Sequence, residues 1–243
     1  MRSWSLALYL AVAAAGSTAA GVYLGNRWWL PLFNTLFAYP IYAYLVIHRE
    51  HARAVGWMLF WAFFMSISMI TMVNLAPDAA RAAVLHGPEY KQEMFDWIRT
   101  GQGAESDPSR FIPQQLLHYG VFVAAALLSG GALGLLFGSV LLNYMNFYVG
   151  SLVYQGAPAL TVFLYGWPVW SIVRVAGFIV TAVGLSDIFF AKVLRREKWD
   201  AGAAKKALAI GFALIVLDMV LKAFLAPAWR EALWRGFTGS GGT

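Results

Sequence analysis

The sequence predicts an all-α integral membrane protein, a bundle of about seven transmembrane helices that forms one domain over residues 1–243. Two observations carry this prediction. Hydrophobic residues make up 60% of the chain and charged residues only 12%, with a mean hydropathy of +0.62. Apolar stretches of about 20 residues, the length that a spanning helix needs, also recur along almost the whole sequence. A composition this apolar excludes a water-soluble domain.

Three spans are predicted before the most polar part of the chain. The first lies near Ser5 to Leu24 and is rich in small residues. The second lies near Trp29 to Ile47, and the third near Ala54 to Leu75. Each is long enough to cross the hydrocarbon core of a bilayer.

A polar insertion, residues 77–113, follows the third span and is too short to build its own core. Pro88 suits the first turn of a helix in which Tyr90, Met94 and Trp97 form an apolar stripe at i, i+4 and i+7. We expect this amphipathic helix to lie in the membrane interface. Three interpretations of the loop stay open: a lid over a site between the spans, a docking surface for a partner, or a solvated connector.

Four more spans are predicted after the insertion. Residues 114–155 contain no charged side chain and suffice for two spans joined by a tight turn, whose position stays open. The sixth span is predicted near Leu160 to Phe190, and the seventh near Ala207 to Ala226.

Basic residues near the span ends predict the orientation, because short cytoplasmic loops are enriched in Lys and Arg. The residues used are Arg2, Arg49, Arg53, Lys192, Arg195, Arg196, Lys198, Lys205 and Lys206. They place the N-terminus and the basic loop 191–206 in the cytoplasm, and the 77–113 loop and the C-terminus outside it. We expect a bacterial inner (cytoplasmic) membrane. The net charge of +6 is then explained by membrane topology and by attraction to anionic lipid headgroups, so no nucleic-acid partner is expected.

Two charged residues inside the last spans are predicted to form an ion pair. Arg174 in the sixth span and Asp218 in the seventh lie within one helical turn of each other in depth. A charge in hydrocarbon costs several kcal/mol unless it is paired or hydrated. The pair can be a gate, a proton relay, a substrate anchor or a lock between two helices. Lys222, one turn beyond Asp218, is expected to extend its side chain to the headgroups.

The Asp-x-x-x-Lys spacing of Asp218 and Lys222 resembles the last helix of microbial rhodopsins, where the lysine carries retinal and the carboxylate is a counterion. The third span departs from that family, because residues 57–71 contain no Arg, Asp or Glu. The sequence also lacks a phosphate-binding loop, a His-Glu-x-x-His zinc motif and paired mid-membrane histidines for haem. No cofactor and no metal site is therefore predicted.

Polar side chains are concentrated in the fifth span, at Asn143, Asn146 and Tyr148. Because polar atoms in lipid need partners, this span should face the bundle interior or a hydrated cavity. We predict that these residues line a ligand pathway together with Arg174 and Asp218.

A second group of candidates lies where the loop re-enters the membrane. It comprises Glu105, Asp107, Arg110 and His118. These side chains are able to supply acid–base chemistry towards a lipid headgroup, although no spacing among them marks a catalytic motif. Whether the protein is an enzyme stays open.

Gly130, Gly134 and Gly138 repeat every fourth residue. Small residues at this spacing let two helix backbones approach closely. The partner is another span of this chain or a span of a neighbouring subunit. Besides lipids, other membrane subunits are therefore possible partners, through the glycine face or the outer loop.

Three functions fit the sequence. The preferred one is a transport or ligand-binding membrane component with a polar path along the fifth span and the Arg174–Asp218 pair. The alternatives are a membrane-embedded enzyme acting on a lipid or lipid-linked substrate, and a scaffolding subunit of a larger membrane complex. Substrate and oligomeric state are left open.

Overall fold

A computed structural model describes residues 3–194 and 201–238 of the chain. Within these ranges every regular element is a helix. Four basic residues used for the orientation, Arg2, Arg195, Arg196 and Lys198, lie outside the described residues. The elements in chain order are α1 Ser3–Tyr23, α2 Trp29–Ile47, α3 His51–Leu75, α4 Pro77–Ala83, α5 Gly87–Thr100, a 3-10 turn Ala104–Ser106, α6 Pro108–Ser129, α7 Ala132–Tyr154, α8 Ala159–Tyr165, α9 Val169–Val193 and α10 Ala201–Thr238.

Seven of these helices are long and apolar enough to cross a membrane, namely α1, α2, α3, α6, α7, α9 and α10. The protein is thus a multi-pass helical membrane protein, and the predicted seven-span bundle is confirmed. We call the membrane face that carries α4, α5 and the 3-10 turn the loop side.

The sixth and seventh spans differ from their predicted bounds. The sixth begins at Val169 rather than near Leu160, because Pro168 has extended backbone angles (φ −57°, ψ 137°) and separates the short α8 from α9. The seventh continues to Thr238, well beyond Ala226. At a rise of 1.5 Å per residue, α10 is about 57 Å long and projects past a hydrocarbon core of about 30 Å.

The turn between the fourth and fifth spans consists of Gly130 and Gly131. Both adopt left-handed backbone angles, with φ of +60° and +90°, which favour glycine. Gly130 is therefore the residue that ends α6, and not part of a glycine stripe on one helix. Gly134, in the first turn of α7, is the position where the two helices approach closely: a Cβ atom there would lie 2.9 Å from the Cβ of Ala126. The partner of this glycine is a span of the same chain.

Gly134→Ala should destabilise the protein by about 1–3 kcal/mol, because the added methyl group overpacks the contact with Ala126. Gly138→Ala, one turn later in the same helix, is the matched control, since a Cβ there meets nothing within 4 Å. The control should be neutral or more stable, by up to about 1 kcal/mol of helix propensity. Thermal unfolding of both variants in the same detergent tests this, and equal melting temperatures would contradict it.

The loop-side helix α5 packs its apolar stripe onto the bundle, and its position in the membrane interface stays a prediction. Met94 and Trp97 of its apolar stripe are fully buried, in a cluster with Tyr148 and Leu152 of α7. The predicted apolar stripe is present, and the surface that it contacts is protein. The end of α5 is also fixed by α10, because Arg230 donates from Nε to the carbonyl oxygen of Ile98 (3.0 Å).

Candidate ligand-binding cavity

A cavity of about 130 Å³ lies among α3, α6, α7 and α9, beneath α5 and the 3-10 turn. Its loop-side end, which we call the charged end, is formed by Glu93, Glu105, Arg174 and Lys222. Its other end reaches the middle of the bundle and is apolar. Residues of the apolar end include Trp61, Phe122, Leu142, Phe178 and Ala182.

The predicted ion pair lies at the charged end and is confirmed. Arg174 donates from Nε to Oδ2 of Asp218 (3.0 Å) and from Nη2 to Oδ1 (3.1 Å). This two-pronged geometry is the strongest form of an arginine–carboxylate contact. The Asp218 side chain is completely buried, whereas 26% of the Arg174 side chain is exposed. Arg174 therefore contributes to the cavity wall while its charge is held by α10.

A second ion pair joins the loop to the bundle. Lys222 on α10 donates from Nζ to Oε1 of Glu105 in the 3-10 turn (2.8 Å). The same Nζ lies 4.6 Å from the ring centroid of Phe111, within the range of a cation–π contact. Only 4% of the Lys222 side chain is exposed, so the expectation that it reaches the headgroups is wrong.

Glu93 is the remaining acidic side chain of the charged end. Partial burial raises the pKa of its carboxyl group, the nearby Glu105 carboxylate raises it further, and Lys222 opposes the shift. Beside it, the ring centroids of Tyr90 and Tyr144 lie 4.7 Å apart and both residues line the cavity. Glu93 therefore takes up a proton more readily than an ordinary glutamate does.

The four candidates at the membrane re-entry separate into two pairs. Glu105 and His118 line the cavity, whereas Asp107 and Arg110 do not. Asp107 caps α6 by accepting a hydrogen bond from the Ser109 amide (3.0 Å). Hydrogen bonds from Ser109 and the charge of Arg110 lower the pKa of Asp107. The last two are thus placed at a helix start, and a catalytic role for any of the four stays a prediction.

The polar residues predicted along the fifth span lie on other faces of α7. Asn143 donates from Nδ2 to Oδ1 of Asn34 on α2 (3.0 Å), and Asn34 in turn donates to Ser17 on α1 (2.9 Å). Asn146 accepts a hydrogen bond from Trp167 Nε1 (2.9 Å). These bonds join neighbouring segments, and Asn143, Asn146 and Tyr148 do not line the cavity described here. Their place in a pathway stays a prediction.

Two buried hydrogen-bond donors line the cavity without a partner. Gln115 on α6 is 5% exposed and Trp61 on α3 is 3% exposed. Among the described residues, neither Gln115 Nε2 nor Trp61 Nε1 has an acceptor within hydrogen-bond distance. Neither residue stands out in the sequence, because an amide and an indole are ordinary in an apolar span.

A second buried acidic residue, also missed in the sequence, does not line this cavity. Asp187 on α9 is completely buried, and its Oδ1 lies 3.4 Å from Nε2 of His51 at the start of α3. The signal was available, since an aspartate within an apolar span needs a partner. In the described part of the chain, no group of three or more His, Asp or Glu side chains could hold a metal ion.

Comparison of the chain with protein-family models, with curated proteins and with solved structures finds no match.

Proposed function

We propose that this membrane protein is a transport or ligand-binding component that takes an amphipathic molecule into the cavity beneath its loop. The observation that carries the proposal is the joining, within one cavity, of a charged end and an apolar end. A ligand with a polar head and an apolar chain or ring matches both ends at once.

Recognition in such a site comes from the polar head. An apolar chain gains little when it moves from lipid into an equally apolar pocket, because the bilayer already solvates it. Polar groups of the head gain more, since the bilayer core offers them no hydrogen-bond partners. The polar side chains of the cavity, which include His118, Tyr144, Arg174 and Glu105, are therefore the groups that select the ligand.

Access to the cavity depends on the loop. The 3-10 turn covers the charged end, and the Glu105–Lys222 ion pair holds it to α10. On the orientation predicted from the sequence, this covered end faces the extracytoplasmic side. A ligand then enters when the loop opens, and the ion pair acts as the latch of a lid.

Gly138→Leu should abolish ligand retention, because the new side chain fills part of a cavity of about 130 Å³. No atom lies within 4 Å of a Cβ at this position, so the change tests the cavity without forcing the backbone apart. Gly120→Leu is the matched control: it is also a mid-helix glycine with an open surrounding, but it does not line the cavity. Native mass spectrometry of each protein, released gently from its own membrane, measures the bound mass.

We expect an amphipathic mass on the wild type and the control, and a loss of at least roughly tenfold in occupancy on Gly138→Leu, which is about 1.4 kcal/mol. Equal occupancy in all three proteins, or no bound molecule in any, would overturn the proposal. Stoichiometric release of other subunits without a ligand would support a scaffold instead. A ligand that is converted to product in a His118-dependent manner would replace binding by catalysis.

A further inference from the structure

We propose that the ligand is an uncharged amphiphile with carbonyl oxygens that accept hydrogen bonds from Gln115 Nε2 and from Trp61 Nε1, one oxygen for each donor. This inference rests on the proposed function and names the chemical class of the molecule that occupies the cavity. It is carried by the two unpartnered donors and by the pairing of the charges around them.

The donors show what the ligand must supply. A buried donor without a partner costs about 1–3 kcal/mol, and both nitrogen atoms belong to residues that line the cavity. Neither an amide NH₂ nor an indole N–H of this kind is satisfied by another donor, so the missing group is an acceptor. Oxygen atoms of a bound ligand, one for each donor, satisfy this requirement when they displace water from the cavity.

The charges show what the ligand does not carry. Arg174 uses both Nε and Nη2 on Asp218, and Lys222 is held by Glu105, so each cation already has its anion. An anionic head would add a negative charge where Arg174 and Lys222 are already neutralised by carboxylates, and a cationic head would lie beside these two cations. Either head would bring a buried charge that has no partner of its own, which is strongly unfavourable.

Glu93 is the acidic group left over at the charged end, and it does not alter this conclusion. The Glu93 residue itself is exposed, so water reduces the influence of its charge. An uncharged head therefore suits the charged end whether or not Glu93 is ionised.

Within a cavity of about 130 Å³, the apolar end accommodates a flat ring or a short stretch of chain, and the rest of a longer chain would stay in the bilayer. Phe122 and Phe178 both line it, with ring centroids 4.6 Å apart and planes 11° from parallel. Two kinds of molecule share the required chemistry of a carbonyl oxygen joined to an apolar part: an ester glycerolipid without a charged head, and a lipid-soluble quinone. Binding measurements with both distinguish these sources.

Equilibrium binding to the full-length protein in lipid nanodiscs tests the class of ligand. The probes are 1-oleoylglycerol and decylubiquinone, which are uncharged, and oleyl sulfate and oleyl trimethylammonium, which carry permanent charges. We expect one uncharged probe to bind at least roughly tenfold more tightly than either charged probe, which is about 1.4 kcal/mol. The tighter of the two uncharged probes identifies the source. A preference for a charged probe would overturn the inference.

Trp61→Phe and Gln115→Leu should each weaken binding of the preferred uncharged probe about three- to tenfold, the loss that one hydrogen bond causes. Trp170→Phe is the matched control for the indole: it too removes a buried, unpartnered Nε1–H, but Trp170 does not line the cavity. Wild-type affinity in both Trp61→Phe and Gln115→Leu would refute the assigned hydrogen bonds.

Gly138→Leu separates this inference from the function on which it rests. If Gly138→Leu does not reduce binding of any probe, the ligand is not in the cavity and the proposed function fails. If Gly138→Leu reduces binding but a charged probe is preferred, the cavity binds a ligand and only the inference about its class fails.

Discussion

Asp218→Ala should destabilise the protein by about 3–5 kcal/mol, because it leaves the Arg174 guanidinium inside the membrane without its carboxylate. Asp218 is completely buried and accepts two hydrogen bonds from Arg174, and the variant loses both of them. Thermal or denaturant unfolding in one detergent measures the effect. Asp218→Asn is the variant to compare. Its amide keeps one acceptor oxygen for Arg174, so the protein should lose less stability than in Asp218→Ala.

Removing both charges together should be milder than removing one. In Arg174→Met with Asp218→Leu, two apolar side chains replace the pair, and such replacements in protein interiors are often neutral or stabilising. The comparison pair is Arg235 and Glu231 near the end of α10, where both side chains are largely exposed (77% and 46%). Arg235→Ala should change stability by less than about 1 kcal/mol. Wild-type stability of Asp218→Ala would contradict the structural importance of the ion pair.

The Arg174–Asp218 pair was predictable from the sequence because it needs only distances along two helices. Both residues interrupt apolar spans, and the rise per residue places them at one depth. Lys222 could not be assigned in this way, because its partner Glu105 lies 117 residues away in a loop. The conformation of a loop depends on the surface against which it packs, and the sequence pattern of the loop does not reveal that surface.

The position of the cavity was not predictable for a similar reason. From the sequence, Asn143 and Asn146 on the polar face of α7 were expected to line the pathway, because polar atoms in lipid need partners. Those partners turned out to be Asn34 and Trp167, in neighbouring segments of the bundle. The cavity instead meets Tyr144 and other residues of α7 whose rotation about the helix axis is fixed by packing. Apolar patterns fix which segments span, but they leave helix rotation and partner choice open.

Glu105→Ala should release the loop from the bundle, because Lys222 Nζ loses the carboxylate that holds the 3-10 turn over the cavity. Breaking a buried ion pair by removing one partner costs about 3 kcal/mol or more. If that free energy acts on local opening of the loop, amide hydrogen exchange in residues 101–107 accelerates roughly a hundredfold. Hydrogen-exchange mass spectrometry resolves this segment from the rest of the chain.

A charge-reversed double variant, Glu105→Lys with Lys222→Glu, distinguishes a latch from simple loss of stability. It restores an ion pair between the same two positions, so exchange in residues 101–107 should return part of the way towards the wild-type rate. Arg99→Ala in the same loop is the control, because its pair with Asp96 is exposed and should hold the loop only weakly.

Because the loop covers the charged end, the same variants should change ligand kinetics in step with loop opening. Glu105→Ala should raise the dissociation rate of the bound probe, whereas the double variant should lower it again. Unchanged exchange in Glu105→Ala would show that other contacts, such as Arg230 with the carbonyl oxygen of Ile98, hold the loop. Faster exchange with unchanged ligand dissociation would show that the ligand leaves sideways into the bilayer, between the spans.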